Sequence, residues 1–85
     1  MRLQVQVKIF VTPRSGILDP QGSAVEHSLK SLGFDGVTQV RIGRYITLEI
    51  DAASKAAAHE AVKKMCDQLL TNPLIEDYRF EVEGG

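Results

Sequence analysis

The sequence predicts an α+β fold of order β-α-β-β-α-β, with a four-stranded antiparallel sheet and two helices on one face. Two observations support this prediction. Apolar and polar residues alternate in four short segments, and apolar residues recur every three or four positions in two longer ones. The first period is typical of half-buried strands and the second of amphipathic helices. This order is the split β-α-β, or ferredoxin-like, arrangement. The length of 85 residues favours a single domain, expected to span residues 1–85.

The first strand and the first helix have clear patterns. The strand alternates strictly and places five apolar residues on one face, which are Leu3, Val5, Val7, Ile9 and Val11. In the helix, Val25, Leu29 and Leu32 form one stripe, and Gly33 ends it by taking the left-handed position that follows many helices.

The start of this helix has two interpretations. Asp19 can be the N-cap with Pro20 at the first helical position, or Ser23 can be the N-cap with Glu26 completing a capping box. We favour Asp19, because that start places Gly22 on the apolar stripe. The expected benefit of a glycine there is close approach of the helix to the sheet or to another chain.

The middle of the chain predicts two further strands joined by a hairpin. Val40 and Ile42 are the apolar positions of the first, and Ile46, Leu48 and Ile50 those of the second. A two-residue loop at 43–44 would place Ile42 and Ile46 on opposite faces of the sheet. The pattern therefore predicts a three-residue loop or a bulge around residues 43–45.

The second helix is predicted from about Lys55 to Leu70, with Ser54 or Asp51 as N-cap and with Asn72 and Pro73 ending it. Its expected apolar stripe consists of Ala58, Val62, Met65 and Leu69. The last strand is expected to place three residues on the core face, which are Tyr78, Phe80 and Val82.

Charge and composition exclude several classes of function. Ten basic and eleven acidic residues give a net charge of −1, which argues against a nucleic-acid or anionic-membrane binder. The outward positions of the first and third predicted strands include one aromatic residue, Tyr45, with Phe10 at a strand end, which also argues against RNA binding. No apolar run is long enough to span a membrane. A single cysteine favours a reducing, cytoplasmic setting.

The residues that could support catalysis do not form a recognisable site. Cys66 and His59 are seven positions apart on one predicted helix, about 10 Å along its axis, so they are poorly placed for a nucleophile and base pair. The sequence has no CxxC or HxxxH metal pattern and no Walker or GxGxxG phosphate loop. Glu76 and Asp77 are adjacent, so a strand would point them to opposite faces. We predict no catalytic, cofactor-binding or metal-binding residues in this chain.

Three segments together resemble PurS, the family of the small subunit of phosphoribosylformylglycinamidine (FGAM) synthase. They are TPRSGILDPQGSAV, GFDGVTQVRIGRYITLEI and MCDQLLTNPLIEDYRFEV, within which LDPQG, RxGxY and LLxNPxIEDY are the most specific motifs. The resemblance covers nearly the whole chain and implies a PurS-like form of the predicted fold.

The resemblance also implies a function in de novo purine biosynthesis. The complete enzyme would be a glutamine-dependent ligase that consumes ATP and uses Mg²⁺, neither of which this chain itself would bind. The chain would be a non-catalytic homodimer, or dimer of dimers, that bridges a glutaminase (PurQ-like) subunit and a synthetase (PurL-like) subunit. The alternative is a stand-alone ferredoxin-like small-molecule sensor or interaction module.

The candidate interface or family-motif residues fall into three groups. The first is the loop before the first helix and the start of that helix, the second surrounds the predicted hairpin on the outer sheet face, and the third follows the second helix. In chain order they are Phe10, Arg14, Gly16, Ile17, Leu18, Asp19, Pro20, Gly22, Gly43, Tyr45, Asn72, Pro73, Leu74, Ile75, Glu76, Asp77 and Tyr78.

Overall fold

Residues 2–84, the part of the chain that the computed structural model describes, contain three strands, two α-helices and one π-helical turn. In chain order they are β1 (Leu3–Pro13), α1 (Pro20–Ser31), β2 (Arg44–Ala52), α2 (Lys55–Met65), a π-helical turn (Cys66–Leu70) and β3 (Glu76–Gly84). The predicted domain limits, residues 1 and 85, lie outside the described residues, so the single domain stays a prediction. None of the described helices has the length and apolar character needed to cross a bilayer.

The sheet is antiparallel with β1 in its centre, in the order β2-β1-β3. Val7, for example, lies opposite Leu48 of β2 and Val82 of β3. The strict alternation of β1 is explained by this position, since its inner-face residues are at most 1% exposed; they are Val5, Val7, Ile9 and Val11. The predicted first strand and its core face are confirmed.

The prediction of four strands is wrong, since the sheet formed by residues 2–84 has three. The segment expected to form the missing strand, which contains Val40 and Ile42, lies beside α1 instead. The amide of Val40 donates to Glu26 Oε1 (3.2 Å) and that of Ile42 to Asp19 Oδ2 (2.9 Å). These side-chain acceptors satisfy donors that would otherwise join a ladder. The predicted hairpin with an irregular loop at residues 43–45 is therefore also absent from the described chain.

α2 covers the inner face of the sheet, and its last turn shifts the predicted stripe. The helix starts at Lys55, as predicted, and Ser54 is its N-cap, one of the two predicted alternatives. After Met65 the chain makes one π-helical turn, which contains an extra residue. Cys66 is fully buried and Leu70 packs on the core, whereas Leu69, predicted to be in the stripe, is 81% exposed. The prediction for Leu69 is wrong because the extra residue rotates it outward.

α1 does not lie on the sheet beside α2, contrary to the predicted arrangement of two helices on one face. α2 packs against all three strands, and α1 makes no comparable contact with a strand among the described residues. The radius of gyration is 16.7 Å and the longest dimension 56 Å. A compact chain of this length would have a radius of about 12 Å. α1 and the segment that follows it therefore project from one end of the sheet.

Candidate functional site

The projecting part of the molecule, residues 17–43, is called the arm below. Asp19 caps α1 as predicted, since its Oδ1 accepts from the Gly22 amide at 3.0 Å and Pro20 occupies the first helical turn. Its second oxygen accepts from Ile42, and these two backbone hydrogen bonds lower the pKa of the Asp19 carboxyl. The amide of Val40 is the main cause of the lowered pKa of Glu26. Two carboxylates thus fasten residues 40–42 along the helix.

Gly22 is required by the same contact. A Cβ at this position would collide with the carbonyl oxygen of Val40 and with the Asp19 carboxylate. A close approach therefore exists at Gly22, but its neighbour is the returning segment of the arm, neither the sheet nor another chain as predicted.

The arm exposes most of its apolar residues to solvent. Leu32 and Phe34 follow the end of α1, where the Phe34 amide donates to the carbonyl of Leu29 at 3.0 Å and Gly33 has a φ of 101°. The exposed fractions are 36% for Ile17, 83% for Leu18, 40% for Val25, 74% for Leu32 and 57% for Phe34. A stripe of this kind on an ordered helix is typical of a surface that another element covers.

A polar cluster, called the junction below, closes the end of the sheet from which the arm projects. Arg44 of β2 donates to Glu76 Oε1 of β3 at 2.7 Å, and the amide of Asn72 donates to the same oxygen at 2.8 Å. Arg14 forms an ion pair with Asp77 (3.5 Å), and its amide donates to the carbonyl of Ile75 (2.8 Å). The junction thus joins β2 and β3 to the loop that follows β1.

Two further residues complete this end of the molecule. Arg41 of the arm donates to the carbonyl oxygens of Pro13 (3.3 Å) and Arg14 (2.9 Å). Gly43 lies so close to β1 that a Cβ there would collide with the carbonyl oxygen of Val11. The arm is therefore attached to the sheet by a backbone approach and by guanidinium hydrogen bonds.

Replacement of Glu76 by glutamine is expected to lower stability at neutral pH by about 1 kcal/mol, because Arg44 then loses its charged partner. The Asn72 amide and then Arg44 lower the pKa of Glu76 in the folded protein. Its contribution is therefore complete above the unfolded pKa and disappears as pH falls through the lower folded pKa. Urea unfolding at pH 7, 5 and 3.5 should show the wild-type and Glu76→Gln curves converging in acid. Glu60→Gln, at an exposed site, is the control, and a Glu76→Gln deficit that persists undiminished at pH 3.5 would contradict the prediction.

The outer face of the sheet carries a preassembled aromatic cluster. The rings of Phe10 and Tyr45, which lie opposite each other on β1 and β2, stack with centroids 5.1 Å apart. The guanidinium of Arg79 lies 4.0 Å above the Phe10 ring. Tyr45 is 58% exposed, so the cluster is accessible. Aromatic and arginine side chains held in this way are typical of the residues that dominate binding at protein interfaces.

The remaining surface offers little that could support chemistry. A trough of about 420 Å³ crosses the outer face between Gln6, Lys8, Thr47 and Glu49. Within residues 2–84 no three His, Cys, Asp or Glu side chains lie close enough to hold a metal ion. Burial raises the pKa of the Cys66 thiol, which disfavours the reactive thiolate. The exposed His59 packs on Phe80 with centroids 4.7 Å apart.

Tyr78, the last of the predicted motif residues, has a structural contact. Its hydroxyl donates to Asp67 of the π-helical turn at 2.7 Å. This hydrogen bond is the main cause that raises the pKa of Tyr78 to about 12. The contact joins β3 to the end of the second helical segment and leaves the phenol protonated at neutral pH.

The structure separates the predicted site residues into three regions. Asp19, Pro20 and Gly22 build the arm, Phe10 and Tyr45 the aromatic cluster, and the residues from Asn72 to Asp77 the junction with Arg14. Gly16 has a φ of 84° in the turn before the arm. Pro73 and Leu74 follow the π-helical turn, where Leu74 is 83% and Ile75 43% exposed.

Sequence reasoning missed the contacts of three residues, Glu26, Arg44 and Arg79, and assigned Glu26 only to the alternative capping box. Each acts on a residue distant in the chain, since the partners are Val40, Glu76 and Phe10 respectively. For Arg79 the alternation of the last strand is a signal, since it places this residue on the face opposite to Phe80. Spacing within one segment could not have found the other two.

Comparison with known proteins shows the family. Residues 6–84 match the model of PurS, phosphoribosylformylglycinamidine (FGAM) synthase. The PurS subunit from Synechocystis is 52% identical over 75 residues, which cover 88% of this chain and 75% of that protein. The Bacillus subtilis PurS subunit is 47% identical over 78 residues, 92% of each chain.

A solved structure agrees with these relatives. A chain of PurLQS from Thermotoga maritima superposes with a TM-score of 0.85 at 36% identity, over 94% of this chain and 98% of that one. The three-stranded sheet with its projecting arm is thus a PurS fold, and the chain belongs to the PurS family of FGAM synthase.

Proposed function

We propose that this chain is the small, non-catalytic subunit of FGAM synthase in de novo purine biosynthesis. The observation that carries the proposal is its similarity, over nearly its whole length, to the PurS subunits and to a chain of the PurLQS structure. In this function it bridges the glutaminase (PurQ-like) and synthetase (PurL-like) subunits of a glutamine-dependent ligase.

The proposed role is assembly. The glutaminase subunit releases ammonia, and the synthetase subunit uses that ammonia and ATP to convert formylglycinamide ribonucleotide into formylglycinamidine ribonucleotide. ATP and Mg²⁺ bind the synthetase subunit in this proposal, and the complex works in the cytoplasm. This chain holds the two other subunits so that ammonia passes between them without loss to solvent.

The surface of the chain supports this role. Leu18 and Leu74 are each 83% exposed, and the Phe10, Tyr45 and Arg79 cluster is preassembled on the outer face of the sheet. Apolar and aromatic anchors within a polar surround are what specific interfaces use. The small buried core, eight hydrophobic residues among those described, also favours a homodimer or dimer of dimers, since association adds burial.

Reconstitution tests the proposal directly. Glutaminase and synthetase subunits are mixed with and without this chain, and amidination is measured with glutamine and separately with ammonium as nitrogen source. We expect omission to abolish the glutamine-dependent rate and to leave the ammonium-dependent rate. An undiminished glutamine-dependent rate without the chain would show that it does not bridge the two subunits.

Leu18→Arg is expected to weaken association, because it places a charge at an apolar residue that the isolated chain leaves 83% exposed. Its circular dichroism and unfolding should match the wild type, while sizing and pull-down with the two partner subunits should show loss. Ser15→Arg, in the exposed loop before it, is the matched control. If Leu18→Arg associates as strongly as the wild type, Leu18 is not part of the interface.

A further inference from the structure

The trough on the outer face of the sheet is open because the long side chains at its rim are held elsewhere. Lys8 of β1 extends toward β3, where its Nζ lies 3.2 Å from Glu83. Glu49 of β2 accepts a hydrogen bond from the side-chain amide of Gln4 at 2.9 Å. These contacts leave a space of about 420 Å³ between β1 and β2. The trough is therefore not filled by the side chains that surround it.

Glu49 differs from the other carboxylates of the outer face because it lacks a cationic partner. Among the ion pairs formed by residues 2–84 none includes Glu49, whereas four further outer-face carboxylates have one. Those pairs are Asp51 with Arg2, Asp77 with Arg14, Glu81 with Arg79 and Glu83 with Lys8. Since the Gln4 amide donates to Oε2 alone, the second oxygen of Glu49 can accept from another molecule.

The rim of the trough presents several hydrogen-bond acceptors around this carboxylate. The exposed side chains of Gln6 and Thr47 supply an amide oxygen and a hydroxyl oxygen. Gln6 lies directly opposite Glu49 in the pairing of β1 with β2, and Thr47 is two residues away on β2. A guanidinium group has five N–H donors in a planar fork and keeps its charge at all physiological pH values. It therefore complements a carboxylate that has neutral acceptors beside it.

The neighbouring aromatic cluster indicates that a protein carries this guanidinium. Phe10 and Tyr45 form the next cross-strand pair after Lys8 and Thr47, about 7 Å farther along the strands. A free small molecule in the open trough would stay in contact with water, where a single ion pair contributes little. A protein surface that covers the exposed Tyr45 ring would also exclude water from the trough, and charged hydrogen bonds are stronger in such surroundings.

We propose that the trough receives an arginine side chain of a partner subunit of the synthase. The guanidinium donates to the carboxylate of Glu49 and to the oxygens of Gln6 and Thr47, and the Phe10 and Tyr45 rings anchor the same partner beside it. This inference rests on the proposed function and locates one of its contacts. The partner subunit approaches the sheet from the outer face, opposite to the face that α2 covers.

A substitution that removes only the charge of Glu49 tests this contact. Glu49→Gln should keep the circular dichroism of the wild type and should weaken binding to one of the two purified partner subunits at least tenfold in titration calorimetry at low salt. The difference from the wild type should shrink at high salt, which screens the charge. Glu60→Gln makes the same change at an exposed site on α2 and should bind as the wild type does. Wild-type affinity of Glu49→Gln for both subunits would overturn the proposal.

Photocross-linking in the assembled complex identifies the occupant of the trough. p-Benzoylphenylalanine replaces Tyr45, which is aromatic and 58% exposed, and the products are mapped by mass spectrometry. We expect residue 45 to be joined to an arginine-containing peptide of the glutaminase or the synthetase subunit, and the Glu49→Gln substitution to reduce the yield. The same reagent at the exposed Lys63 of α2 should not label that peptide. Products only with a second copy of this chain, or only with peptides that lack arginine, would contradict the assignment.

The proposed function and this contact fail in different ways. An undiminished glutamine-dependent rate when the chain is omitted would disprove the bridging function itself. If omission abolishes that rate but Glu49→Gln supports it and binds both subunits at wild-type strength, the bridging function holds and the contact at Glu49 does not exist.

Discussion

Ile9→Ala is expected to lower the free energy of unfolding by about 2–5 kcal/mol, the range for removing a large aliphatic side chain from a packed core. Ile9 has no exposed surface and lies in the middle of the central strand, opposite Ile46 and Phe80. A chain of 85 residues has a total stability of about 4–13 kcal/mol. The substitution would therefore remove a large share of it and raise the fraction of unfolded molecules at 37 °C.

Urea unfolding followed by circular dichroism measures this loss, with Leu74→Ala as control because Leu74 is 83% exposed. Ile9→Val provides a milder step of about 0.5–1.5 kcal/mol should the alanine variant not fold. Equal losses at positions 9 and 74 would show that the core is not centred on β1.

Gly22→Ala is expected to destabilise the chain even though alanine favours helix over glycine by about 1 kcal/mol. The added Cβ collides with the carbonyl of Val40 and the Asp19 carboxylate. Backbone cannot rotate away as a flexible side chain can, so the returning segment must move, and the hydrogen bonds of Val40 and Ile42 weaken. Overpacking of this kind costs about 1–3 kcal/mol.

The measurement for Gly22→Ala is amide hydrogen exchange, in which Val40 and Ile42 should lose protection first. Ser23→Ala is the matched control, since residue 23 is exposed in the same turn. This substitution raises helix propensity without adding a steric collision. Stabilisation of Gly22→Ala, with protection retained at Val40, would show that the close approach can relax without cost.

Sequence patterns correctly predicted the strands and helix ends that depend on residues close to each other in the chain. The alternation of β1 reports burial on one face of a central strand, and Asp19, Pro20 and Gly33 define the ends of α1 through contacts within a few residues. The predicted end of the second helix and the last strand depend on similar short-range features, and all were found.

The error of the fourth strand comes from competition by distant partners, whereas the error at Leu69 comes from the extra residue of the π-helical turn. Val40 and Ile42 have the apolar spacing of a strand, yet their amides are taken by carboxylates 14 and 23 residues away. The apolar stripe of α1 was predicted correctly. Apolar spacing along a helix does not, however, identify the surface against which the helix packs. The resemblance to PurS identified the family correctly, and the residue pattern alone led to the fourth strand.

The π-helical turn has a consequence for alignments of homologous sequences. The extra residue between Cys66 and Leu70 acts as a phase shift, after which each position faces a direction different from that in a uniform helix. Thr71 fixes the end of this shift, since both its amide and its hydroxyl donate to the carbonyl of Cys66, at 3.1 and 2.8 Å. A relative that lacks the extra residue would present a different side chain where this protein presents Leu69. One insertion or deletion in this turn would thus change a surface apolar residue without any substitution at that site.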